Sequence, residues 1–154
     1  MPTILVVDDD IHILSILTAA LEEAGYTVQR ATRLDHAGRL VATDPIDLVV
    51  LEVAMDHGRG WDLLREIADL RHLPVMVVSS HGLEEDVVAA LDIGAIDYIA
   101  KPFRTNEVLA RIRVHLRDKP STPPPQQTAT SQVPLQPLSP PVAPPPAAQI
   151  YDAG

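Results

Sequence analysis

Three acidic residues, a hydroxyl and a lysine each follow a run of apolar residues in this 154-residue chain. They are Asp8, Asp9, Glu52, Ser79 and Lys101. Crowded carboxylates repel one another, and a hard divalent cation such as Mg²⁺ relieves that repulsion. A carboxylate beside the metal could attack phosphorus and become an acyl phosphate, while the hydroxyl and the ammonium hold the phosphoryl oxygens. The residue types therefore predict phosphoryl-transfer chemistry.

The elements that must position these residues are strands alternating with helices. Apolar runs predict buried strands over residues 4–7, 47–51, 74–78 and 98–100, and residues 26–30 predict a short second strand. Apolar residues at helical spacing predict helices over residues 13–24, 34–42, 61–70, 87–93 and 108–116. This alternation predicts an α/β fold with a doubly wound, five-stranded parallel sheet. Ligands of such sheets bind at the carboxyl ends of the strands, so we expect all five polar residues in one crevice.

Charge and composition exclude several classes of function. The chain carries a net charge of −9, and all 12 Lys and Arg residues precede residue 120. An acidic domain lacks the basic face that binds nucleic acid. There is no cysteine, and no apolar run approaches the ~20 residues of a membrane span. Since the start shows no leader, we expect a cytoplasmic protein without direct contacts to nucleic acid or membrane.

Composition changes sharply after Lys119. Residues 120–154 contain 11 prolines and a single charged residue. Proline lacks a backbone donor and disfavours helix in the residue before it, so this segment predicts a disordered tail with polyproline-II character. The expected domains are thus residues 1–119 and a tail over residues 120–154. PxxP spacing within the tail leaves open a docking peptide as the alternative to a plain spacer.

Three segments carry a resemblance to a known family. Ile4–Asp10, Pro74–Ser80 and Gly94–Phe103 resemble the first, fourth and fifth strand regions of bacterial response-regulator receiver domains, the phosphoacceptor half of two-component signalling. The resemblance covers residues 3–118. It implies the flavodoxin-like (βα)5 receiver fold.

The resemblance also implies a role for each site residue. The phosphoacceptor position falls on Glu52, with Ser79 and Lys101 as the hydroxyl and lysine that bind the phosphoryl group. Ser79 and Tyr98 correspond to the residues that switch on activation. The implied Mg²⁺ ligands are Asp8, Asp9, Glu52 and the backbone carbonyl of Ala54.

The departures from the family pattern lie in and after the third strand. The family has aspartate where this chain has Glu52, and Asp56 replaces a proline in the following loop. Glutamate moves the carboxylate about one bond further, and an error near 1 Å can cost about 100-fold in an in-line attack. We therefore expect phosphoryl acceptance to be lost and Mg²⁺ binding to be weak at most. Asp56 is an alternative acceptor.

The longer Glu52 side chain could instead pair with Lys101 and accept a hydrogen bond from Ser79. It would then imitate the switched-on form in part, since it brings one negative charge against about 1.5 to 2 for a phosphate. The competing interpretation is a locked fold that does not respond to signals and serves only as a binding surface.

The last helix is similar to that of the OmpR/PhoB-type subfamily, whose receivers dimerise through helix 4, strand 5 and helix 5. This implies a homodimer in which Asp97, Glu107 and Arg111 occupy charged interface positions and Val88, Leu91 and Leu109 form an apolar patch. Val87 replaces a residue that is usually basic, which removes one ion pair. The alternative is a solvated helix face. The subfamily carries a DNA-binding domain after the receiver, whereas this sequence continues with the proline-rich segment. We therefore expect a stand-alone regulator without direct DNA binding, with a truncated chain as the alternative.

The function predicted is an atypical, phosphorylation-independent receiver. It would act as a protein-interaction module, with a histidine kinase or a downstream effector as partner, and not as an enzyme. One alternative is a receiver that still accepts a phosphoryl group from a histidine kinase. Another is a phosphate-ester hydrolase that uses Asp8 and Asp10, although Asp10 is expected to begin helix 1.

Overall fold

The computed structural model describes residues 1–117. They form a five-stranded, all-parallel sheet with the strand order β2-β1-β3-β4-β5. The strands are β1 (Thr3–Val7), β2 (Thr27–Ala31), β3 (Leu48–Leu51), β4 (Val75–Ser79) and β5 (Asp97–Ala100). The predicted fold class is therefore confirmed.

Five main helices connect and follow the strands: α1 (Ile11–Glu23), α2 (Leu34–Thr43), α3 (Gly60–Glu66), α4 (Glu84–Ile93) and α5 (Thr105–Arg117). A short helical turn, Met55–Gly58, lies between β3 and α3. α3 continues into a π-helical segment, Ile67–Arg71, which ends at His72 with a left-handed φ of 53°. None of the helices in the described part is long and apolar enough to span a bilayer.

Two apolar layers lie on opposite faces of the sheet. Along β1, Leu5 and Val7 belong to one layer, whereas Ile4 and Val6 belong to the other. The first layer includes buried residues of α2, α3 and α4, and the second includes buried residues of α1 and α5. Because alternate side chains of a strand point to opposite faces, strands covered on both sides must be apolar throughout. This explains the continuous apolar runs.

The largest differences from the predicted helix bounds are at the starts of two helices. α4 starts at Glu84 and α5 at Thr105, three residues before the predicted starts at Val87 and Val108. Their first turns are polar, so apolar periodicity cannot detect them. The proline-rich tail predicted over residues 120–154 lies outside the described residues.

Candidate functional site

Four of the five predicted polar residues lie together at the carboxyl edge of the sheet. Asp8 follows β1, and Glu52 follows β3. Ser79 is the last residue of β4, and Lys101 follows β5. β1 pairs with β2 on one side and with β3 on the other. The chain therefore runs to one side of β1 first and then crosses to the opposite side. Such a switch point leaves an opening at the strand ends where ligands bind.

The Lys101 ammonium bridges two buried carboxylates. Its Nζ lies 2.6 Å from Oδ2 of Asp8 and 2.9 Å from Oε1 of Glu52. Asp8 is only 3% exposed and Glu52 only 4%. A charge removed from water in this way must be paired, and one ammonium here serves two carboxylates. The predicted pairing of Glu52 with Lys101 is therefore present. We call Asp8, Glu52, Ser79 and Lys101 the buried cluster.

Backbone amides complete the surroundings of the Glu52 carboxylate. The Ala54 N–H donates to Oε2 at 2.9 Å, and the Ser80 N–H donates to Oε1 at 3.2 Å. These amides belong to the loops that follow β3 and β4. Neither donor is predictable from the residue types, because a backbone N–H leaves no signal in them. Together with Lys101, they hold the longer side chain in one position.

The charges of the buried cluster shift one another's titration. Burial raises the pKa of Glu52, but hydrogen bonds from Ser79, Ala54 and Lys101 outweigh it and bring the pKa below its ordinary value. Burial also raises the pKa of Asp8, and its bonds to Lys101 and a backbone amide do not compensate. Burial lowers the pKa of Lys101, whereas the two carboxylates raise it by more. Glu52 is therefore the more firmly ionised of the two acids.

Asp9 and Asp10 lie outside the buried cluster. Asp9 is exposed and forms no hydrogen bond or ion pair within residues 1–117. Asp10 is the N-cap of α1, where its Oδ1 accepts from the amides of His12 at 2.9 Å and Ile13 at 3.4 Å. This confirms that Asp10 begins the first helix. A cap residue is engaged with the backbone and is poorly placed as the second acid of a hydrolase.

Only some of the predicted Mg²⁺ ligands converge, since Asp8 and Glu52 lie together on Lys101 whereas Asp9 is exposed. Across the described part of the chain, no three acidic or histidine side chains are arranged to hold a metal ion. Asp8 binds a backbone amide with one oxygen and Lys101 with the other. The Ala54 carbonyl accepts from the Gly58 amide at 3.2 Å, and Asp9 is exposed. The residues do not fit Mg²⁺ in this arrangement. A weak site stays a prediction, and it requires Lys101 to leave Asp8.

The two predicted switch residues are linked through the loop after β4. The His81 amide donates to Oγ of Ser79 at 3.2 Å, and the His81 carbonyl accepts from the Tyr98 hydroxyl. Burial raises the pKa of Tyr98, so its hydroxyl remains protonated and able to donate. Ser80, in the same loop, binds Glu52. One loop thus contacts both the phosphoacceptor position and the switch aromatic.

Gly60 allows the first residue of α3 to pack closely against the backbone at the end of β3, beside Glu52. A Cβ at Gly60 would lie 2.6 Å from Cα of Val53 and 2.7 Å from the Glu52 carbonyl oxygen. Real Cβ atoms do not approach backbone so closely, so only glycine allows this contact. The requirement for glycine at position 60 was not predicted. The available signal for it was the spacing of Gly60 from Gly58, with only Arg59 between them.

Asp56, the alternative acceptor, is directed elsewhere. Asp56 and His57 both have left-handed backbone conformations, with φ of 53° and 57°. The Asp56 carboxylate lies 3.8 Å from the Arg59 guanidinium, and no ion pair joins it to Lys101 among the described residues. Asp56 is therefore not in contact with Lys101, the lysine that would bind the phosphoryl oxygens.

On the face formed by α4, β5 and α5, the predicted charged residues pair within the chain. Arg111 lies 3.0 Å from Asp97 and 3.0 Å from Glu107, and the His115 Nε2 lies 3.3 Å from Asp97. Val88 and Leu91 are exposed, whereas Leu109 packs partly against the core. The homodimer stays a prediction.

Comparison with known proteins agrees with this geometry. The family model of the response regulator receiver domain matches residues 4–113. The KDP operon transcriptional regulatory protein KdpE of Escherichia coli is 38% identical over 122 residues, which cover 79% of this chain and 54% of KdpE. The transcriptional regulatory protein CpxR of Escherichia coli is 40% identical over 117 residues, which cover 76% of this chain and 50% of CpxR. The chain thus spans about half the length of these curated relatives.

Solved structures show the same fold. A CheY-like response regulator receiver domain protein from Methanospirillum hungatei superimposes with a TM-score of 0.73 at 28% identity, covering 77% of this chain and 95% of its own. The family match extends over well more than half of the chain and includes every residue of the buried cluster. The chain belongs to the response regulator receiver domain family of two-component signalling proteins.

Proposed function

We propose that this receiver works without phosphorylation, as a protein-interaction module in which Glu52 stands in for a phosphoryl group. The observation that carries the proposal is the set of donors around the Glu52 carboxylate. Lys101, the Ala54 amide and the Ser80 amide bind its two oxygens within 2.9–3.2 Å. An ammonium and backbone N–H groups are also the donors that bind phosphoryl oxygens.

The same contacts argue against phosphoryl acceptance at Glu52. A nucleophilic carboxylate must direct one oxygen at phosphorus while other groups hold the phosphoryl oxygens. Here the carboxylate itself takes the donors that the phosphoryl group would need. A phosphodonor would have to displace Glu52 from Lys101 and from two amides, in a crevice whose carboxylates are not arranged around Mg²⁺.

Of the two forms of this hypothesis, a constitutive signal is favoured over an inert lock. The loop after β4 binds Glu52 through the Ser80 amide and binds the Tyr98 hydroxyl through the His81 carbonyl. The Glu52 carboxylate is therefore connected to the switch aromatic through two consecutive residues, Ser80 and His81. The mimicry is partial, since Glu52 brings one charge against about 1.5 to 2 for a phosphate.

Receiver domains interact with histidine kinases and effectors, and we place this chain among them as a binding partner and not as an enzyme. KdpE and CpxR are transcriptional regulators. Residues 1–117 correspond to the receiver half of such proteins, so DNA binding is not part of this proposal. The hydrolase alternative loses support from the capping role of Asp10.

Intact mass spectrometry tests the proposal. The full chain is incubated with acetyl phosphate and Mg²⁺ beside a Glu52→Asp variant, which restores the shorter carboxylate, and a Glu52→Gln variant, which removes it. We expect no phosphoryl adduct on the natural chain or on Glu52→Gln, and an adduct on Glu52→Asp. A stoichiometric adduct on the natural chain, mapped to Glu52 or Asp56, would establish a phosphorylatable receiver instead.

The activity of the proposed module is read from Tyr98. In the natural chain its hydroxyl binds the His81 carbonyl, and Glu52→Gln removes the charge that holds the loop. We expect the Tyr98 ring resonances of Glu52→Gln to move away from those of the natural chain, and those of phosphorylated Glu52→Asp to move towards them. Identical spectra for all three proteins would favour the inert lock.

A further inference from the structure

A groove of about 880 Å³ lies between α2 and the stretch of chain that runs from the Met55–Gly58 turn along α3. We call this space the α2–α3 groove. Its floor is apolar, since Met55 is 4% exposed, Leu63 is 6% exposed and Leu34 packs partly against the core. No residue of the buried cluster lines it. Pockets that bind small molecules commonly have volumes of roughly 300–1,000 Å³, so the groove has the size of a ligand site.

Gly38 keeps the middle of the α2–α3 groove open. It lies inside α2, where glycine is the least favourable residue after proline. The fold does not require a glycine at this position, because its φ is not left-handed and a Cβ would meet only Cδ1 of Leu63, at 4.0 Å. Ala42 lines the same wall one turn later. Larger side chains at these two positions would fill the space that a ligand would occupy.

The rim of the α2–α3 groove is rich in arginine. Four of the chain's 12 Lys and Arg residues line the groove, and all four are arginines: Arg33, Arg39, Arg59 and Arg71. A guanidinium presents a planar fork of donors that fits a carboxylate or a phosphate. The type of side chain that binds organic anions is therefore concentrated here, although the whole chain carries a net charge of −9.

Three of these arginines are incompletely paired. Asp35 binds Arg33 through two hydrogen bonds of 3.0 and 3.2 Å, whereas Arg39 lies 3.8 Å from the same carboxylate. Arg59 lies 3.8 Å from Asp56. A contact of 3.8 Å is too long for a hydrogen bond, so donors of Arg39 and Arg59 remain available to a ligand. Three guanidinium groups share two carboxylates, which leaves one positive charge in excess.

The other acidic residues of the α2–α3 groove are largely offset by cations. Asp62 pairs with Arg65 at 3.2 Å. Glu66 and Arg71 bring opposite charges to the groove, and Asp9 is the remaining acid. The groove is therefore close to neutral as a whole, and its excess positive charge lies with the three incompletely paired arginines. An anion is attracted to these arginines rather than repelled from the groove.

We propose that the α2–α3 groove binds a small organic anion with an apolar body, such as an aromatic carboxylate or sulfonate. The apolar body would pack on Met55 and Leu63, in the space that Gly38 leaves open. The anionic group would accept hydrogen bonds from Arg39 and Arg59. An inorganic anion could use only the arginines and a neutral apolar compound only the floor, so neither fits the whole groove. The site goes beyond the proposed function and does not rest on it.

The probe is anilinonaphthalene sulfonate, a fluorescent aromatic anion, which is titrated against the full chain. Phenylnaphthylamine has the same rings without the sulfonate, and inorganic phosphate is an anion without an apolar body. We expect saturable binding of the sulfonate dye, about tenfold weaker binding of the neutral dye, and no competition by phosphate at the concentration of the dye. Changes in amide chemical shift on binding of the sulfonate dye should centre on Gly38 and Leu63.

Gly38→Leu tests whether the dye occupies the open space. The added side chain fills the groove and replaces a poor helix former, so the variant should stay folded while the affinity for the sulfonate dye falls about tenfold or more. The matched control is Ala19→Leu, which adds the same side chain to an exposed position of α1. It should leave the affinity within about twofold of the natural chain.

Arg39→Gln tests the role of the guanidinium groups. It should weaken binding of the sulfonate dye about three- to tenfold and leave binding of the neutral dye unchanged, because only the anion uses the arginine. Arg113→Gln removes the same charge from an exposed position of α5. Since that position lies outside the groove, it should leave the affinity within about twofold.

The proposal is overturned if the sulfonate dye does not bind saturably or if the two dyes bind equally, since the charge would then play no part. Unchanged affinity in Gly38→Leu, or shifts that centre elsewhere, would place the dye on another surface. Equal weakening by Arg39→Gln and Arg113→Gln would show general electrostatic attraction only. The mass experiment reports on the phosphoacceptor position alone, so either proposal can fail while the other stands.

Discussion

The buried cluster and the exposed outer face of α4 are both rich in carboxylates, but their charges are compensated differently. We call the residues of this outer face, Glu84, Glu85, Val88, Leu91 and Asp92, the α4 stripe. In the buried cluster, Asp8 and Glu52 share one ammonium and accept hydrogen bonds from backbone amides. In the α4 stripe, three carboxylates stand in water without a cation among the described residues. Burial makes pairing obligatory, whereas exposure leaves charge available for a partner.

The difference shows where stability is determined in this fold. Removing a charge from the buried cluster leaves another charge unpaired away from water, which is costly. Removing a charge from the α4 stripe breaks no ion pair within residues 1–117. Stability should therefore depend much more on the buried cluster than on the α4 stripe.

The strongest test of this contrast is Lys101→Met. It leaves Asp8 and Glu52 without their shared cation and should lower the free energy of unfolding by about 2–4 kcal/mol, since Lys101 is still partly exposed. Urea unfolding at pH 7 measures the loss. Arg65→Met is the matched control, because it breaks the exposed 3.2 Å pair with Asp62 and should cost less than about 1 kcal/mol. Equal losses for both variants would contradict the contrast.

A smaller effect, with a specific pH dependence, is expected for Glu52→Gln. At pH 7 the loss of the charged hydrogen bonds should cost about 1–2 kcal/mol. The folded pKa of Glu52 lies below its ordinary value of 4.5. Its stabilising contribution is therefore complete above pH 4.5 and is lost as the pH falls through the folded pKa.

Urea unfolding of the natural chain and of Glu52→Gln, from pH 7 down to about pH 3, checks this sign. The difference in free energy between the two proteins should be constant near neutrality and should shrink below pH 4.5. A difference that grows on acidification would mean that the carboxyl is stabilised in its protonated form.

Ser79→Ala should have an effect of about 1 kcal/mol, because the His81 amide loses its hydroxyl acceptor. Hydrogen exchange of the His81 amide should become faster in this variant, while the amides of β3 keep their protection. Ser15→Ala, at an exposed position of α1, is the matched control. Unchanged exchange at His81 would show that the hydroxyl does not hold the loop.

The smallest change in stability is expected for charges removed from the α4 stripe. Glu84→Gln with Glu85→Gln should lower the free energy of unfolding by less than about 1 kcal/mol. Neither residue has an ion-pair partner within residues 1–117, so only the interaction with the N-terminus of α4 is lost. A large loss of stability would mean that these carboxylates are needed by the fold, and the α4 stripe would then resemble the buried cluster.

Residue types predicted the strands, the α/β class and the meeting of Glu52 with Lys101. These succeed because strands buried on both faces must be apolar and because parallel strands bring their carboxyl ends to one edge. The position of Asp9 was not predictable in the same way. Neighbouring residues at the end of a strand point in different directions, and only Asp8 turns into the crevice.

Other features depend on backbone geometry that residue types do not report. The amides of Ala54 and Ser80 bind Glu52 only because two loops fold over it. Gly60 is required by an approach to Val53 that exists only once α3 has docked. The polar first turns of α4 and α5 carry no apolar periodicity, so the predicted starts were late.

The Glu52–Lys101 contact also has a consequence in time. An acyl phosphate hydrolyses, and an ordinary receiver returns to rest at the rate of that reaction. A carboxylate that is part of the chain is not hydrolysed, so its charge has no such limited lifetime. Under the proposed function, the strength of the signal is set by the number of protein molecules present. Synthesis of the protein would then start the signal, and proteolysis would end it.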